Sequence, residues 1–338
     1  MSGLEILSLA PGATIQDRGR PGWLRFGVSA GGAVDGFALA EGQALLGNDA
    51  DDAALEMFAH GGRFRARGAV AVATSGAEMA LTLNGTPRPW RQSLQLHDGD
   101  LLEIGAVRDG VCGYLHLPGG IESPVVMGAR STHLRAGLGR VPKPGEMLEP
   151  RAPGRACPPL GLPRPDYFDR RQLRFLRGPQ SRHFSAATIA AFLDGGFEVS
   201  PMRDRMGVRI LPGHGPVRLE EGRSIASDAI VDGDIQITGD GTPAVLMAER
   251  GSSGGYPRIG TLAAADMGAL AQMPAGARFT LREVARAEAL AALAEQRRAI
   301  AALAGQARPL RRDPRDIADL LAYDLIDGVV RGDEDDDD

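Results

Sequence analysis

The residues of this chain that could do chemistry are arginines, hydroxyls and glycines gathered in a few loops. Residues 249–260 read ERGSSGGYPRIG and follow the apolar run TPAVLMA. Successive amides and hydroxyls in a Gly-rich loop can bind one oxyanion, and a tyrosine adds a phenolic donor or a stacking face. This composition is typical of a binding site. A wide structural turn, with Tyr256 packed on its rim and Arg250 in a salt bridge, explains it equally well.

Two further stretches place arginine beside glycine or hydroxyl residues. Residues 14–35 read TIQDRGRPGWLRFGVSAGGAVD, and residues 128–140 read GARSTHLRAGLGR. The planar guanidinium of arginine, close to backbone N–H groups, suits a carboxylate or phosphate. A salt-bridged hairpin explains the first stretch equally well, and a Ser/Thr turn the second. Another stretch, RDRMGVRI at 203–210, is weakly similar to QDRGRPGWLRFGV, since both place Asp-Arg before a glycine and a strand. This similarity agrees with two related units in the chain.

Several familiar chemistries lack their motifs in this sequence. The six histidines show no HxH, HxxxH or HExxH spacing, so we expect no metal site. A P-loop is absent, and so is a Rossmann glycine motif between a strand and a helix. Cys112 and Cys157 lie far apart without CxxC spacing and are expected to be reduced thiols.

Composition and charge narrow the class of protein. The chain has 338 residues and 43% hydrophobic content, enough for two domains with cores. Its net charge of -5 gives no basic face for nucleic acid. No apolar run is long enough to span a membrane, and the start MSGLEILSLAPG does not read as a signal peptide. We therefore expect a cytoplasmic protein without nucleic-acid or membrane partners.

The elements that must position these loops are predicted to be mainly short strands. The 46 glycines are about twice the usual share of roughly 7%, and 23 prolines add further turns. Alternating runs such as AVAVATSG, MALTLNGTP and LQLHDGDLLEIG end in Gly, Asn-Gly or Asp-Gly, which are hairpin signals. The same pattern returns after residue 198 in GVRILPG, GDIQITGDGTP and AVLMAERG. Two barrel-like β units follow.

Helices are predicted at few places. Residues 35–48 begin with an acidic N-cap candidate, residues 185–196 run from Ser to Gly-Gly, and a long amphipathic helix is expected from Leu281 to near Gly305. The expected organisation is a first β-barrel domain at 1–150, a Pro/Arg-rich linker at 151–172, a second barrel at 173–284, a helical extension at 285–332 and a disordered acidic tail at 333–338.

The motifs taken together resemble a known family. QDRGRPG, GGAVD, LLGN, ALE, LPGGI, GARSTHLRAGLG, DRMG and GGYPRIG occur in order between about residues 4 and 284. They resemble allophanate hydrolase subunit 2, a family also known as the biotin-dependent carboxyltransferase subunit or the C subunit of 5-oxoprolinase. The resemblance implies a mainly β fold of two cyclophilin-like barrels with a few short helices and a C-terminal helix, in agreement with the strand pattern.

The resemblance also implies partners and a reaction. Family members work with a B subunit, which is allophanate hydrolase subunit 1-like, and in some cases with an A subunit. The expected function is ATP-dependent opening of 5-oxoproline to glutamate. The alternatives are transfer of carboxyl from carboxybiotin to a urea- or amide-like acceptor, and non-catalytic antagonism of a sporulation-kinase inhibitor. ATP or carboxybiotin would act through the complex, and the chain alone is expected to be inactive.

The same resemblance places the candidate site in the three loops. We expect four substrate-facing catalytic donors, Arg250, Ser252, Ser253 and Tyr256. The expected substrate-binding residues are Arg18, Arg20, Arg130, Ser131, Thr132, Gly254, Gly255 and Arg258. This chain departs from the family where Gly251-Ser252-Ser253 replaces a usual Gln-Thr-Thr or Gln-Thr-Val, and where Arg258 often is Lys. The predicted site therefore lacks the donor and acceptor of that Gln amide.

Overall fold

A computed structural model describes residues 2–152, 159–218 and 225–310, and it contains two β units. The first unit is a half-barrel of nine strands in which every pairing is antiparallel, with the order β2-β3-β8-β4-β1-β9 and with β5 pairing β6, β7 and β8. Its strands are β1 Gly3–Leu9, β2 Thr14–Gln16, β3 Ala54–Phe58, β4 His60–Arg67, β5 Val70–Leu83, β6 Thr86–Pro87, β7 Ser93–Leu96, β8 Leu101–His116 and β9 Met147–Leu148.

The second unit is a closed barrel of seven strands, ordered β11-β18-β15-β16-β13-β12-β19. It closes where β11 and β19 pair in parallel. Two small ribbons, β10 with β20 and β14 with β17, accompany it. The strands are β10 Leu160–Gly161, β11 Gln172–Arg177, β12 Phe197–Arg203, β13 Gly207–Pro212, β14 Asp228–Ala229, β15 Asp234–Ile237, β16 Pro243–Leu246, β17 Ser253–Gly254, β18 Arg258–Leu262, β19 Arg278–Glu283 and β20 Arg308–Pro309.

Turn chemistry accounts for much of this strand layout. Asn84 and Gly85 both have positive φ, 52° and 78°, and they connect β5 to β6 with Leu83 opposite Thr86. A two-residue loop with both φ values positive is a type I′ turn, whose twist matches that of the flanking strands. The predicted fold class, mainly β with two barrel-like units, is confirmed, while the domain boundaries stay a prediction.

The helices are α1 Gly36–Leu46, α2 Ala186–Asp194, α3 Met267–Gln272 and α4 Arg286–Gln306. As predicted, α1 begins after Asp35, whose carboxylate accepts from two backbone N–H groups, and α2 begins after Ser185, whose hydroxyl accepts from Thr188 N. The sequence did not predict α3.

The predicted start of the long helix at Leu281 is wrong. Residues 278–283 form β19, in which Phe279 and Leu281 are buried and their neighbours exposed, and α4 begins at Arg286. This period of two belongs to the strand that closes the barrel. The predicted helical extension beyond residue 310 and the acidic tail lie outside the described residues.

One apolar core runs through both units. Ala38, Ala54, Cys112 and Tyr114 of the half-barrel belong to the same buried cluster as the interior of the closed barrel, including Phe175 and Ile235. A second cluster fills the half-barrel alone. Cys112 is a free, buried thiol, and Cys157 lies outside the described residues. Within the described ranges, no helix is long and apolar enough to cross a membrane.

Candidate functional site

The three predicted loops meet where the two units touch. The first loop, residues 17–35, contacts the second, residues 128–140, because Arg130 N donates to Asp17 Oδ2 over 2.6 Å and Arg20 donates to the carbonyl of Ser131. The third loop, residues 247–257, joins them where Gly31 N donates to Ala248 O over 3.2 Å. Tertiary structure therefore brings together three sequence stretches that are about 100 residues apart.

At this junction lies a buried polar cluster, which we call the central cluster: Glu56, Arg205, Glu249, His133 and Ser29. Arg205 Nε donates to Glu249 Oε1 over 2.5 Å, its Nη1 donates to Glu56 Oε1, and its Nη2 donates to Gly32 O over 2.6 Å. All five members are at most 5% exposed. Burial alone would lower the pKa of Arg205, but the Glu56 and Glu249 carboxylates together raise it.

The half-barrel supplies further bonds that fix this cluster. The Oε2 atom of Glu56 accepts from Tyr114 Oη over 2.7 Å and from Val34 N over 2.9 Å. Each carboxylate is therefore held by several donors, which is the condition under which a buried charge is tolerated. The cluster ties β3, the first loop and the Asp204–Met206 turn to one geometry.

Ser29, His133 and Glu249 have the order of a nucleophile, base and acid. Ser29 Oγ lies 2.9 Å from His133 Nε2, and Glu249 Oε2 lies 3.6 Å from His133 Nδ1. However, Ala136 N donates to Nδ1 over 3.2 Å, so Nδ1 is an acceptor and the proton of the neutral ring is on Nε2. Burial, opposed by the Glu249 charge, lowers the pKa of His133. His133 therefore donates to Ser29 and does not act as its base, unlike in a serine hydrolase.

A cavity of about 930 Å³ opens between the two units beside the central cluster, and we call it the interdomain cavity. Arg205 and Glu249 contribute to its wall. The rest of the wall is largely apolar, with a rim of charged residues: Phe58, Val107, Val111, Leu134, Met206 and Pro274 are apolar, and Arg135, Arg203 and Asp204 are charged. Its volume lies in the usual range for small-molecule sites.

The predicted donors of the third loop do not line this cavity. Arg250 forms an ion pair with Asp232, with Nε 2.7 Å from Oδ1, and donates to Gly251 O over 2.9 Å. Burial raises the pKa of Asp232, and the Arg250 charge opposes this rise. Ser253 and Gly254 form β17, paired with β14, while Ser252 O and Gly255 O accept from Ile230 N and Ile225 N. Tyr256 is 43% exposed. None of these loop residues is part of the wall of the interdomain cavity.

Most of the other predicted arginines are bound by protein groups. Arg258 contacts the carboxylates of Asp228 and Asp234, and Arg130 contacts Ser123 O and Glu122. Arg18 is exposed, 3.7 Å from Asp51, and lines a second cavity of about 450 Å³ between the first loop, α1 and α4. The roles predicted for these residues as substrate contacts remain predictions.

Two predicted residues carry buried polar atoms that have neither a hydrogen bond nor an ion pair within the described residues. Arg20 bonds two carbonyls, Ser131 O and Val126 O, but its Nη1 has no partner, and neither does Ser131 Oγ. Thr132 Oγ1, by contrast, donates to Arg140 O. Unpaired buried donors are uncommon in proteins and mark places where water or a ligand atom could bind.

The sequence does not single out the members of the central cluster. Glu56 and Arg205 stand in ALE and DRMG, two of the motifs that carry the family resemblance, and Glu249 is the first residue of the stretch ERGSSGGYPRIG, but no local pattern pairs them. His133 and Ser29 lie within the first two candidate stretches. Ser29 is the serine of GVSAG at 27–31, which has GxSxG spacing, whereas no spacing distinguishes His133. Across the described ranges, no group of three or more His, Cys, Asp or Glu side chains could hold a metal ion.

Comparison with known proteins gives the family. Residues 26–283 match the model of the carboxyltransferase domain, subdomain A and B, and the chain belongs to this family. It is 33% identical to the C subunit of 5-oxoprolinase from Escherichia coli strain K12, over 87% of this chain and 96% of that protein.

Longer proteins contain a similar region. The chain is 29% identical to urea amidolyase of Lachancea kluyveri over 73% of its own length, which covers 15% of that protein. The crystal structure of K. lactis urea amidolyase superposes on 92% of this chain and 21% of its own with a TM-score of 0.80 and 23% identity, which supports the fold. The chain thus spans nearly the whole of the Escherichia coli protein but about a fifth or less of the amidolyases.

Proposed function

We propose that this chain is the C subunit of an ATP-dependent 5-oxoprolinase, which opens 5-oxoproline to glutamate in the cytoplasm together with its A and B subunits. The observation that carries the proposal is the match to 96% of the corresponding Escherichia coli protein, a separate chain of this one region. The chain on its own is one part of the enzyme and is inactive without its partners.

The reaction needs stabilisation of negative charge on the lactam oxygen. Ring opening breaks the amide C–N bond, and water supplies the new carboxyl oxygen and the proton taken by nitrogen. In the complex, hydrolysis of ATP to ADP and phosphate with a second water would supply the driving force. Donors held rigidly around the carbonyl lower the barrier because they need no reorganisation as charge develops. The central cluster supports this role, since its bonds fix the first, second and third loops in one arrangement.

Arg250, Ser252, Ser253 and Tyr256 are the donors that we assign to the third loop. Arg250 and the β14–β17 ribbon hold this loop to the barrel, which supports a fixed placement of its amides. These residues do not line the interdomain cavity, but their loop adjoins its rim, because a Cβ at Gly251 would lie 3.4 Å from Arg135 Nη1. They would contact substrate at the surface around that rim, completed by a partner protein. Arg18, Arg20, Arg130, Ser131 and Thr132 would approach the same surface from the neighbouring loops.

Carboxyl transfer from carboxybiotin to a urea- or amide-like acceptor is the second candidate. The family model and the likeness to urea amidolyases support it. The interdomain cavity is large enough for the fused rings of biotin, and its apolar wall of Phe58, Val111 and Pro274 would hold them. Carboxybiotin supplies the carboxyl group when bound.

The decisive experiment is glutamate production from 5-oxoproline by this chain mixed with its candidate A and B subunits. We expect ATP-dependent activity that disappears when any one component is omitted. Activity without this chain would contradict the proposal. The second candidate would be favoured if the folded, assembled complex is inactive on 5-oxoproline but transfers carboxyl from carboxybiotin to urea.

Site placement is tested separately in the active complex. Arg250→Ala combined with Tyr256→Phe should lower turnover by roughly 100-fold, the effect of losing an oxyanion donor. Arg182→Gln is the matched control, because Arg182 is exposed and donates only to Pro179 O among the described residues. Unchanged turnover in the double variant would show that the third loop is not the catalytic site.

A further inference from the structure

Arg203, in the wall of the interdomain cavity, is a cation without an acidic partner among the described residues. Its Nη1 and Nη2 donate to the carbonyls of Met273 and Ala271, the second over 2.7 Å. No carboxylate of the described ranges lies within ion-pair distance of it. Burial lowers the pKa of Arg203, which reflects the cost of holding this charge away from water. A guanidinium has five N–H donors, so Arg203 keeps three for another acceptor.

Arg135, at the rim of the same cavity, is also unpaired within the described part of the chain. Its backbone N donates to Glu249 Oε2 over 3.3 Å, which fixes the chain at this point. Its exposed guanidinium has no hydrogen bond or ion pair to any described residue. The Nη1 atom would lie 3.4 Å from a Cβ at Gly251, so Arg135 extends from the second loop to the third.

The carboxylates in the cavity wall do not neutralise these two cations. Glu249 is bound by Arg205, which it shares with Glu56. Asp204 turns back on its own loop, where Oδ1 accepts from Met206 N over 2.7 Å and from Gly207 N over 3.0 Å. A half-buried charge such as that of Arg203 is normally paired, so the absence of a carboxylate beside it among the described residues indicates an anionic ligand, to which the exposed Arg135 at the rim would add a second positive charge.

We propose that the interdomain cavity binds the carboxylate of the substrate through Arg203 and Arg135, with the methylene edge of the substrate ring against Phe58 and Val111. This inference rests on the proposed function in naming the substrate as 5-oxoproline, a five-membered lactam that carries one carboxylate. A planar guanidinium can bond both oxygens of that carboxylate, which fixes its orientation. The cavity exceeds the size of one such ring, so it also has space for a group from a partner protein.

The test compares three probes by ligand-observed NMR and calorimetry, on the full chain and on its complex with the B subunit. The probes are 5-oxoproline, 2-pyrrolidinone, which lacks the carboxylate, and cyclopentanecarboxylate, which lacks the lactam. We expect the two carboxylates to bind and 2-pyrrolidinone to bind at least 10-fold more weakly, as for the loss of one charge-assisted contact. Equal affinity for 2-pyrrolidinone and 5-oxoproline, or no binding of either carboxylate, would overturn the inference.

Variants assign the contact to the two arginines. Arg203→Gln should weaken carboxylate binding by roughly 10- to 100-fold and Arg135→Gln by about 10-fold, with no change for 2-pyrrolidinone. Arg182→Gln should change nothing. Arg135 is on an exposed loop, so Arg135→Gln should fold even if Arg203→Gln does not, and normal carboxylate affinity in Arg135→Gln refutes the assignment.

Turnover of the complex separates this inference from the proposed function. If the complex is active and Arg135→Gln leaves the KM for 5-oxoproline unchanged, the inference fails while the function stands. If the complex is inactive on 5-oxoproline but cyclopentanecarboxylate still binds in an Arg135-dependent way, the function fails while the carboxylate site stands.

Discussion

Arg205 is the residue whose loss should damage the junction of the two units most. It is the shared cation of two carboxylates, Glu56 and Glu249, that are 0% and 2% exposed. Arg205→Met leaves both charges in the interior with only neutral donors. Removing one partner of a buried ion pair costs about 3–5 kcal/mol, so we expect the free energy of unfolding to fall by at least that amount at pH 8.

The cost should depend on pH in a defined direction. Without Arg205, the two buried carboxylates have no cation beside them, so proton binding by the folded state relieves part of the cost. The destabilisation is then full at high pH and shrinks as pH falls and the folded state binds protons. We expect the difference between wild type and Arg205→Met to be at least 1 kcal/mol smaller at pH 5.5 than at pH 8, about the effect of one pKa unit.

Urea unfolding followed by tryptophan fluorescence measures both effects. Arg63→Met is the control: it breaks an exposed pair with Glu103, N–O distance 2.7 Å, and should cost at most about 1 kcal/mol. Adding Glu249→Gln to Arg205→Met should recover part of the loss because it removes one unpaired charge. A loss below about 1 kcal/mol for Arg205→Met, or an equal loss at pH 5.5 and pH 8, would refute the reasoning.

Three other predictions concern buried groups of the half-barrel, each measured by urea unfolding. Burial lowers the pKa of His116 to about 3, so the wild type loses stability as pH falls below 6.5. The free energy of unfolding of His116→Asn should therefore rise relative to that of wild type by about 1.4 kcal/mol per pH unit from pH 6 to 4. Burial, opposed by Arg91, raises the pKa of Glu41 to about 7, so the wild type loses stability as pH rises from 4.5 to 7. Over this range the free energy of unfolding of Glu41→Gln should rise relative to that of wild type by up to about 3 kcal/mol. A flat pH dependence of either difference would contradict the assigned burial. Asp35→Ala removes the N-cap of α1 and the acceptor for Tyr167 and Gln272, and it should lower the free energy of unfolding by about 2 kcal/mol or more. A decrease below about 0.5 kcal/mol would contradict this prediction.

Local sequence rules predicted turns and helix starts well, because these elements depend only on neighbouring residues. Asn84-Gly85 takes the left-handed conformation of a two-residue hairpin, and Asp35 and Ser185 cap helices, because each depends on residues within four positions. The same rules failed at Leu281. Its alternation with Phe279 is a strand pattern only four residues long, and the Ala-rich helix that follows obscures it.

The candidate site was predictable only in part. The sequence indicated the three loops, since Arg, Gly and hydroxyl residues are concentrated there, and the structure brings these loops together. It drew attention to the stretch RDRMGVRI but gave Arg203 no role in the site, because the importance of this residue depends on the absence of a carboxylate near it among the described residues. Absence of a partner is a property of the packed molecule and leaves no local pattern.

The sequence by itself determined the mainly β class, the turns, the helix caps and the family, because these depend on neighbouring residues or on the order of motifs. Tertiary structure alone decided that Arg205 meets Glu56 across 149 positions and that His133 has its proton on Nε2. Ion pairs and tautomers depend on distance and desolvation, and both exist only after the two units have packed against one another.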